Sequence, residues 1–288
     1  MLTPRQRVLM LTPLALVLIP FLIWPALFGL FASFTNYAPL QTHLHLVGLR
    51  NYTEVLRDSL FRIATRNILL MTLVTMPLEL AWGLAIAYAL RRPFRGRGLV
   101  RIALLVPWLV SPIANGVMWH FLLTSQQGML NFVLGWLRLP PQMSPLGIPQ
   151  LALLTTMAIE IWRKTPLVSF LLVPGVLAIP ADQWDQATLD GARLWSRLRH
   201  IAVPWLRPLL LTIALLLIGD TLGTFDSILI LTGGGPGTAT VTPGLYSYQQ
   251  AFQVQNWTVG ATAAWLIAAV VLLIGLGYLR LMRGEGDA

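Results

Sequence analysis

Residues 185–208 read DQATLDGARLWSRLRHIAVPWLRP. Asp185, Asp190, Arg193, Arg197, Arg199 and Arg207 fall between two stretches apolar enough to cross a bilayer. The chain therefore carries a charged, glycine-centred island at the edge of a membrane, and what that island does decides the reading of everything around it.

The surrounding composition is that of an integral membrane protein. Of 288 residues, 56% are hydrophobic and 11% charged, and the mean hydropathy is +0.69; soluble domains carry roughly 25% charged residues. The absence of cysteine removes thiol catalysis, disulfide frameworks and cysteine-ligated metals. His43 and His45 share one polar loop, while His120 and His200 lie apart with no HExxH-type spacing. They read as scattered structural histidines, and no metal site is expected.

A spanning helix needs about 20 mainly apolar residues. Windows at about 9–34, 64–90, 99–123, 150–173, 205–231 and 260–279 qualify. They are continuous apolar runs rather than the short alternating segments of a barrel, so all are expected to be helical. Arg5 and Arg7 precede the first window as in a signal peptide, but the run exceeds an h-region and no small-residue cleavage site follows, so it reads as a retained span. The expectation is an all-α, polytopic, six-span protein forming one transmembrane domain over 1–288.

Arginines set the expected orientation. With the N-terminus in the cytoplasm, that side gathers Arg5, Arg7, Arg91, Arg92, Arg95, Arg97, Arg101, Arg193, Arg197, Arg199, Arg207, Arg280 and Arg283. The opposite side holds Arg50, Arg57, Arg62, Arg66 and Arg138. The positive-inside rule places both termini in the cytoplasm. The net charge of +9 is thereby absorbed by the ends of spans, and no nucleic-acid partner is expected.

On this topology the island is a cytoplasmic loop between spans four and five. Pro180 precedes Asp182, which is placed to cap a helix with Asp185 three residues on. Ala187, Gly191, Leu194 and Leu198 recur at helical spacing as a small apolar face, and Gly191 allows a turn between two short helices. Pro204 and Pro208 fit only the beginning of the next helix. Two readings stay open on the residues alone. Trp184, Trp195 and Trp205 suit an amphipathic helix lying on the membrane; the small-residue face suits a protein partner that approaches closely.

The segment resembles the EAA loop of permease subunits in binding-protein-dependent ABC importers, with the pattern Glu-Ala-Ala, two residues, Asp-Gly-Ala, then Ile-x-Leu-Pro. Asp185 and Gln186 replace the Glu and first Ala; Ala187, Asp190, Gly191, Ala192, Ile201 and Pro204 match, with Val203 for Leu. VGLRNYTEVL at 47–56, RPFRGRGLVRIALLVPWLVSP at 92–112, IWRKTPLVSFLLVPGVLAIP at 161–180 and FDSILILTGGGPGTAT at 225–240 are similar, in order, to stretches of the sugar-permease subfamily that includes maltose, trehalose and glycerol-3-phosphate importers.

The resemblance implies a type I importer permease fold whose loop 181–204 is a cytoplasmic coupling helix gripped by an ATPase subunit. The contact residues would be Asp185, Ala187, Asp190, Gly191, Ala192, Leu194 and Leu198. It also implies a second homologous permease in a heterodimer, two ATP-binding subunits, an extracytoplasmic solute-binding protein, and a bacterial or archaeal plasma membrane.

This chain has no phosphate loop of its own. Its only lysine, Lys164, lies in an apolar span, and GGGPG at 233–237 lacks the lysine and following helix that cradle phosphates. No cofactor is expected on this chain, and ATP and Mg would be used by the partner ATPase. Gly233, Gly234, Gly235 and Pro236 read as a flexible turn or as an external gate.

Ionisable residues within spans default to functional candidates. These are Glu79, Glu160, Arg163, Lys164, Asp220 and Asp226. Glu160 and Lys164, four apart, suit a structural pair, and Pro166 is expected to bend or interrupt their helix. Asp226 has the chemistry to accept hydrogen bonds from vicinal sugar hydroxyls or from a neighbouring helix. Trp108, Trp119 and Trp162 lie within spans as stacking platforms or packing groups. Asp226, Trp119 and Trp162 are the expected substrate-pathway residues, for a disaccharide or oligosaccharide. An ion-coupled secondary transporter is the alternative and would show inverted repeats; none is evident. An intramembrane enzyme would need a nucleophile and base at matching depth, which the sequence does not supply.

Overall fold

The computed structural model describes residues 12–14, 16–38, 44–124, 128–136 and 144–286. Regular structure among them is helical, apart from one antiparallel bridge between Thr35 and Leu46. The helices are α1 (Thr12–Ser33), α2 (Arg50–Arg57), α3 (Ser59–Ala89), α4 (Arg97–Leu109), α5 (Pro112–Leu123), α6 (Met129–Trp136), α7 (Pro149–Leu177) and α8 (Ala181–Leu189). They continue with α9 (Leu194–Gly223), α10 (Asp226–Leu231), α11 (Pro243–Tyr248) and α12 (Trp257–Gly286). Four of them, α1, α3, α9 and α12, are each long and apolar enough to cross a membrane, rising to six spans if each bent pair counts as one.

The chain divides into two compact units, Met1–Arg62 with Tyr246–Ala269, and Ile63–Leu245 with Val270–Ala288. The first is tied by polar bonds at helix ends. Asn51 donates from Nδ2 to the Ser33 and Thr35 carbonyls at 2.9 and 2.8 Å. Buried Tyr246 donates its hydroxyl to Asp58 Oδ2 at 2.7 Å, while Asp58 Oδ1 accepts the Leu60 amide at the start of α3.

The second unit holds an apolar core between α3, α7 and α9. Leu84 and Leu90, Val168 and Leu172, Leu206 and Ile213 are all buried there, and Trp184 reaches in from α8. These faces come from continuous apolar runs, so helix contact rather than amphipathic patterning selects what is buried.

Several expected spans differ in detail. The window 99–123 is not one helix: α4 and α5 meet at 93°. Proline disfavours the helical region for its predecessor, so Ser111 before Pro112 is extended, and its hydroxyl caps the Ala114 amide at 3.3 Å. The window 205–231 is likewise divided, with α9 ending at Gly223 and α10 starting at Asp226. Conversely, α7 runs unbroken through Pro166 and Pro174, so of the bend or interruption expected at Pro166 the interruption does not occur. Pro166 is buried there, so surrounding contacts hold the helix while one backbone bond is forfeited. Pro204 stands in the first turn of the α-helical segment Val203–Gly223, as its sequence position suggests, and a π turn at Leu198–Ala202 joins that segment to the short helix Leu194–Arg197 before it.

Candidate functional site

The loop after α7 is built by local rules. Pro180 fixes an extended approach and α8 leaves α7 at 85°. Asp182 lies in the first turn of α8, but no side chain caps its start. At the other end the Ala192 amide bonds the Ala187 carbonyl at 2.9 Å and the Gly191 amide bonds the Thr188 carbonyl at 3.1 Å. This pair of bonds is a Schellman cap, and it requires the positive φ of +68° found at Gly191. Arg193 is then extended and α9 begins at Leu194, with Arg197 Nε donating to the Ala192 carbonyl at 2.8 Å.

This turn divides the face expected from helical spacing. Ala187 is buried, and Ala192 and Leu198 are half-buried. Asp185, Asp190, Gly191 and Leu194 are exposed. Leu189 and Trp195, which spacing alone did not single out, are 87% and 72% exposed. Leu194, in the first turn of α9, is 56% exposed as well, so apolar side chains stand bare on both sides of the Gly191 turn. The signal was present in the sequence, as a leucine between Thr188 and Asp190 where a polar helix end is usual.

A second feature lies between α7 and α9. Arg163 Nη2 donates to Glu160 Oε2 at 2.9 Å, and Lys164 Nζ lies 3.4 Å from the same oxygen. Lys164 also pairs with Asp220 Oδ2 at 2.6 Å and donates to Thr221 Oγ1 at 3.2 Å. Ser227 Oγ donates to Glu160 Oε1 at 2.9 Å. Two acids and two bases thus balance across the gap where α9 stops and α10 starts. Glu160, Arg163 and Lys164 are buried, whereas the Asp220 side chain is 59% exposed. The i,i+4 pair expected from sequence is present, but as part of a larger network whose Asp220, Thr221 and Ser227 members come from distant positions.

Asp220 and Lys164 open onto a cavity of about 270 Å3 that Trp108, Leu167, Leu171 and Leu216 also line. On α3, Glu79 is fully buried with both carboxyl oxygens lacking a hydrogen-bond partner among the described residues, and Thr75 Oγ1 one turn earlier is in the same state. Buried polar groups without partners are costly and concentrate where a protein works.

Of the expected pathway residues, Trp119 and Trp162 meet edge to face, with centroids 5.4 Å apart and planes at 84°. Asp226 is half-buried and accepts the Ser227 amide at 3.0 Å, serving the first turn of α10. The glycine loop is held by hydrogen bonds rather than left as a slack turn. Thr232 and Thr240 hydroxyls lie 2.6 Å apart, Thr240 Oγ1 donates to the Gly235 carbonyl at 2.9 Å, and Asn67 Nδ2 donates to the Thr238 and Val241 carbonyls, both at 3.0 Å. Gly234 has φ +93°, and a Cβ there would come within 2.8 Å of Val241 Cγ2. Gly233 shares the positive φ, and the Gly235–Pro236 peptide is cis.

The histidine side chains have protein partners: His45 bonds Asn36, His200 Nδ1 bonds the Ser196 carbonyl one turn away, and His120 Nδ1 of α5 bonds the Leu231 carbonyl of α10. His43 lies outside the described residues. No cluster of three metal-ligating side chains occurs among the described residues.

No protein-family model matches the sequence. The chain is 32% identical over 279 residues to the trehalose/maltose transport system permease protein MalF of Thermococcus litoralis, covering 97% of this chain and 94% of that protein. It is 29% identical over 280 residues to the trehalose transport system permease protein SugA of Mycobacterium tuberculosis, covering 96% and 88%. Its fold matches a chain of a bacterial alginate ABC transporter solved with an alginate pentasaccharide-bound periplasmic protein, with a TM-score of 0.81, 20% identity, and 96% and 93% coverage. A match of this extent to permeases leaves the secondary-transporter alternative without support. The chain belongs to the family of permease subunits of sugar ABC importers, which are multi-pass membrane proteins and not themselves enzymes.

Proposed function

We propose that this chain forms half of the translocation pathway of an ATP-driven importer for a disaccharide or oligosaccharide, and docks an ATPase subunit through α8 and the turn that follows. One observation carries the docking: a rigid, Schellman-capped helix stands at 85° to α7 and presents Asp185, Leu189, Asp190, Gly191 and Leu194 outward. A short element of that kind can be gripped and displaced as a body, and α7 and α9 join it at its two ends. Ala187, Ala192 and Leu198 support the turn from within. An exposed pair made by Asp185 would contribute only about 0 to 1 kcal/mol, so shape governs the fit.

The partners on this reading are a second homologous permease, two ATP-binding subunits that use ATP and Mg, and an extracytoplasmic solute-binding protein. Both termini and α8 face the cytoplasm, and the loop Gly233, Gly234, Gly235 and Pro236 is an external gate held in shape by its threonines. The pathway runs past Trp119, Trp162 and Asp226, and past the exposed carboxylate of Asp220 beside Trp108. A balanced charge cluster with one open carboxylate and an aromatic platform suits a neutral, hydroxyl-rich ligand. The curated relatives named for trehalose and maltose support that choice.

The test is uptake into proteoliposomes containing the purified native complex, its solute-binding protein and labelled trehalose or maltose. The reading requires uptake that depends on ATP inside the vesicle. Uptake driven equally well by an ion gradient without ATP would overturn it.

A further inference from the structure

The coupling reading joins α8 to α7 and α9 through the chain itself; the side chains add a third connection. Trp184 of α8 is only 6% exposed and belongs to the core formed with α3 and α7. Arg91 follows the last turn of α3, and its guanidinium carbon lies 4.2 Å from the Trp184 ring centroid and 4.5 Å from that of Tyr88. The two rings meet with centroids 5.4 Å apart at 64°, and Arg91 Nη2 donates to the Tyr88 hydroxyl at 3.2 Å. One cation therefore bridges an aromatic ring on α3 and another on α8, an attraction that strengthens where water is excluded.

Asp185, the neighbour of Trp184, lines the same cavity of about 290 Å3 as Arg91. Arg91 forms no ion pair with it among the described residues. Arg91 lies against the rings instead, and Asp185 stays exposed for a partner. A lysine at 91 would keep the charge but not the planar group that lies against both rings.

We propose that Arg91 is a positioning residue for the coupling step, clamping the end of α3 to α8 so that the two travel together when the ATPase subunits close. The proposal rests on the docking role of α8. It extends the moving body to a helix that is not adjacent to α8 in the chain, and so brings α3, with its buried Glu79, under the control of ATP.

The experiment uses the whole reconstituted importer and reads sugar taken up per ATP hydrolysed. Arg91→Met is expected to lower that ratio roughly fivefold, the order found when a residue outside both sites is removed from a coupling path, with Arg91→Lys between it and the native protein. A native ratio in Arg91→Met, or full restoration by lysine, would overturn the clamp. Because the chain has no cysteine, spin labels at Ala89→Cys, exposed in the last turn of α3, and Asp182→Cys in the first turn of α8 report directly on the two elements, even where Arg91→Met fails to assemble. In the otherwise native complex their distance must stay the same with and without ATP, and a shift on ATP binding overturns the proposal. All readings are made on complexes that retain their ATPase subunits, so a failure of the clamp stands apart from a failure of docking.

Discussion

Lys164 of α7 lies 2.6 Å from Asp220 in the last turn of α9. The contact joins the two helices that flank the coupling loop, immediately before the backbone breaks between Gly223 and Asp226. A lysine that also contacts Glu160 and Thr221 holds that break in one arrangement.

Lys164→Met should lower stability by about 1 kcal/mol, because water solvates the 59% exposed Asp220 carboxylate once its cation is gone and Arg163 still pairs with buried Glu160. Asp220→Asn should cost less than about 1.5 kcal/mol, since an amide still accepts from Lys164, while reducing uptake more than it reduces stability. Thermal unfolding of the purified chain in detergent, set beside uptake, separates the two. Equal losses in both variants would show that the contact only packs the helices.

Gly191 requires a left-handed backbone that costs an ordinary residue about 1–2 kcal/mol. A Cβ at this position meets nothing within 4 Å of the chain itself. Gly191→Asn should therefore stay near native stability, since asparagine tolerates this conformation, yet lose ATPase docking because its side chain projects from the contact surface. Gly191→Leu should lose both. Normal docking by the asparagine variant would place the requirement in the turn alone.

Tyr246 gives a pH prediction. Burial first, and then the bond to Asp58, push its hydroxyl above the ordinary tyrosine range. The folded state thus holds this proton more tightly than the unfolded state. Its contribution is complete below the unfolded value, about pH 10, and is lost progressively as pH rises beyond it. Tyr246→Phe should lower stability by about 1.5–3 kcal/mol at neutral pH, the range for a bond to a charged group, and should flatten part of the alkaline decline. A stability difference between native and variant that stays constant from pH 7 to 11 would contradict it.

Ser111→Ala removes the cap at the α4–α5 bend and should cost about 1 kcal/mol, with uptake retained in proportion to folded protein. Trp108→Ala should instead raise the KM for sugar uptake with little change in unfolding temperature, because Trp108 lines the cavity at Asp220 and is 40% exposed. A KM unchanged by the tryptophan substitution would remove this cavity from the pathway.

Hydropathy made the six apolar windows legible, and the glycine between Asp190 and Ala192 announced the turn. The breaks were harder to read because apolar character runs straight through them: Val110 and Ser111 look like any span interior until Pro112 is weighed as a constraint on its predecessor. Pro166 works in the opposite direction: a proline that could have interrupted α7 does not, since tertiary contacts hold the helix together across it. Glu160 and Lys164 could be paired by spacing alone. Asp220 and Ser227 could not, because their approach depends on how α9 packs on α7 and where it ends. The coupling face was half legible for a similar reason. The turn at Gly191 between two short helices could be expected, but the single face drawn through Ala187, Gly191, Leu194 and Leu198 could not survive it: Ala187 is buried while Leu189 and Leu194 are exposed.

The central claim is that α8 and its turn seat an ATPase subunit. Its most direct test is affinity purification of the tagged chain from its native membrane in mild detergent, in native form and as Leu189→Asp with Leu194→Asp. Co-eluting proteins are identified by mass spectrometry, and ATPase activity is assayed. The native chain should bring down a nucleotide-binding subunit with ATPase activity together with a second permease, and the doubly charged variant should keep the permease but lose the ATPase. A native chain that purifies alone, or a variant that retains the ATPase in full, would contradict the account.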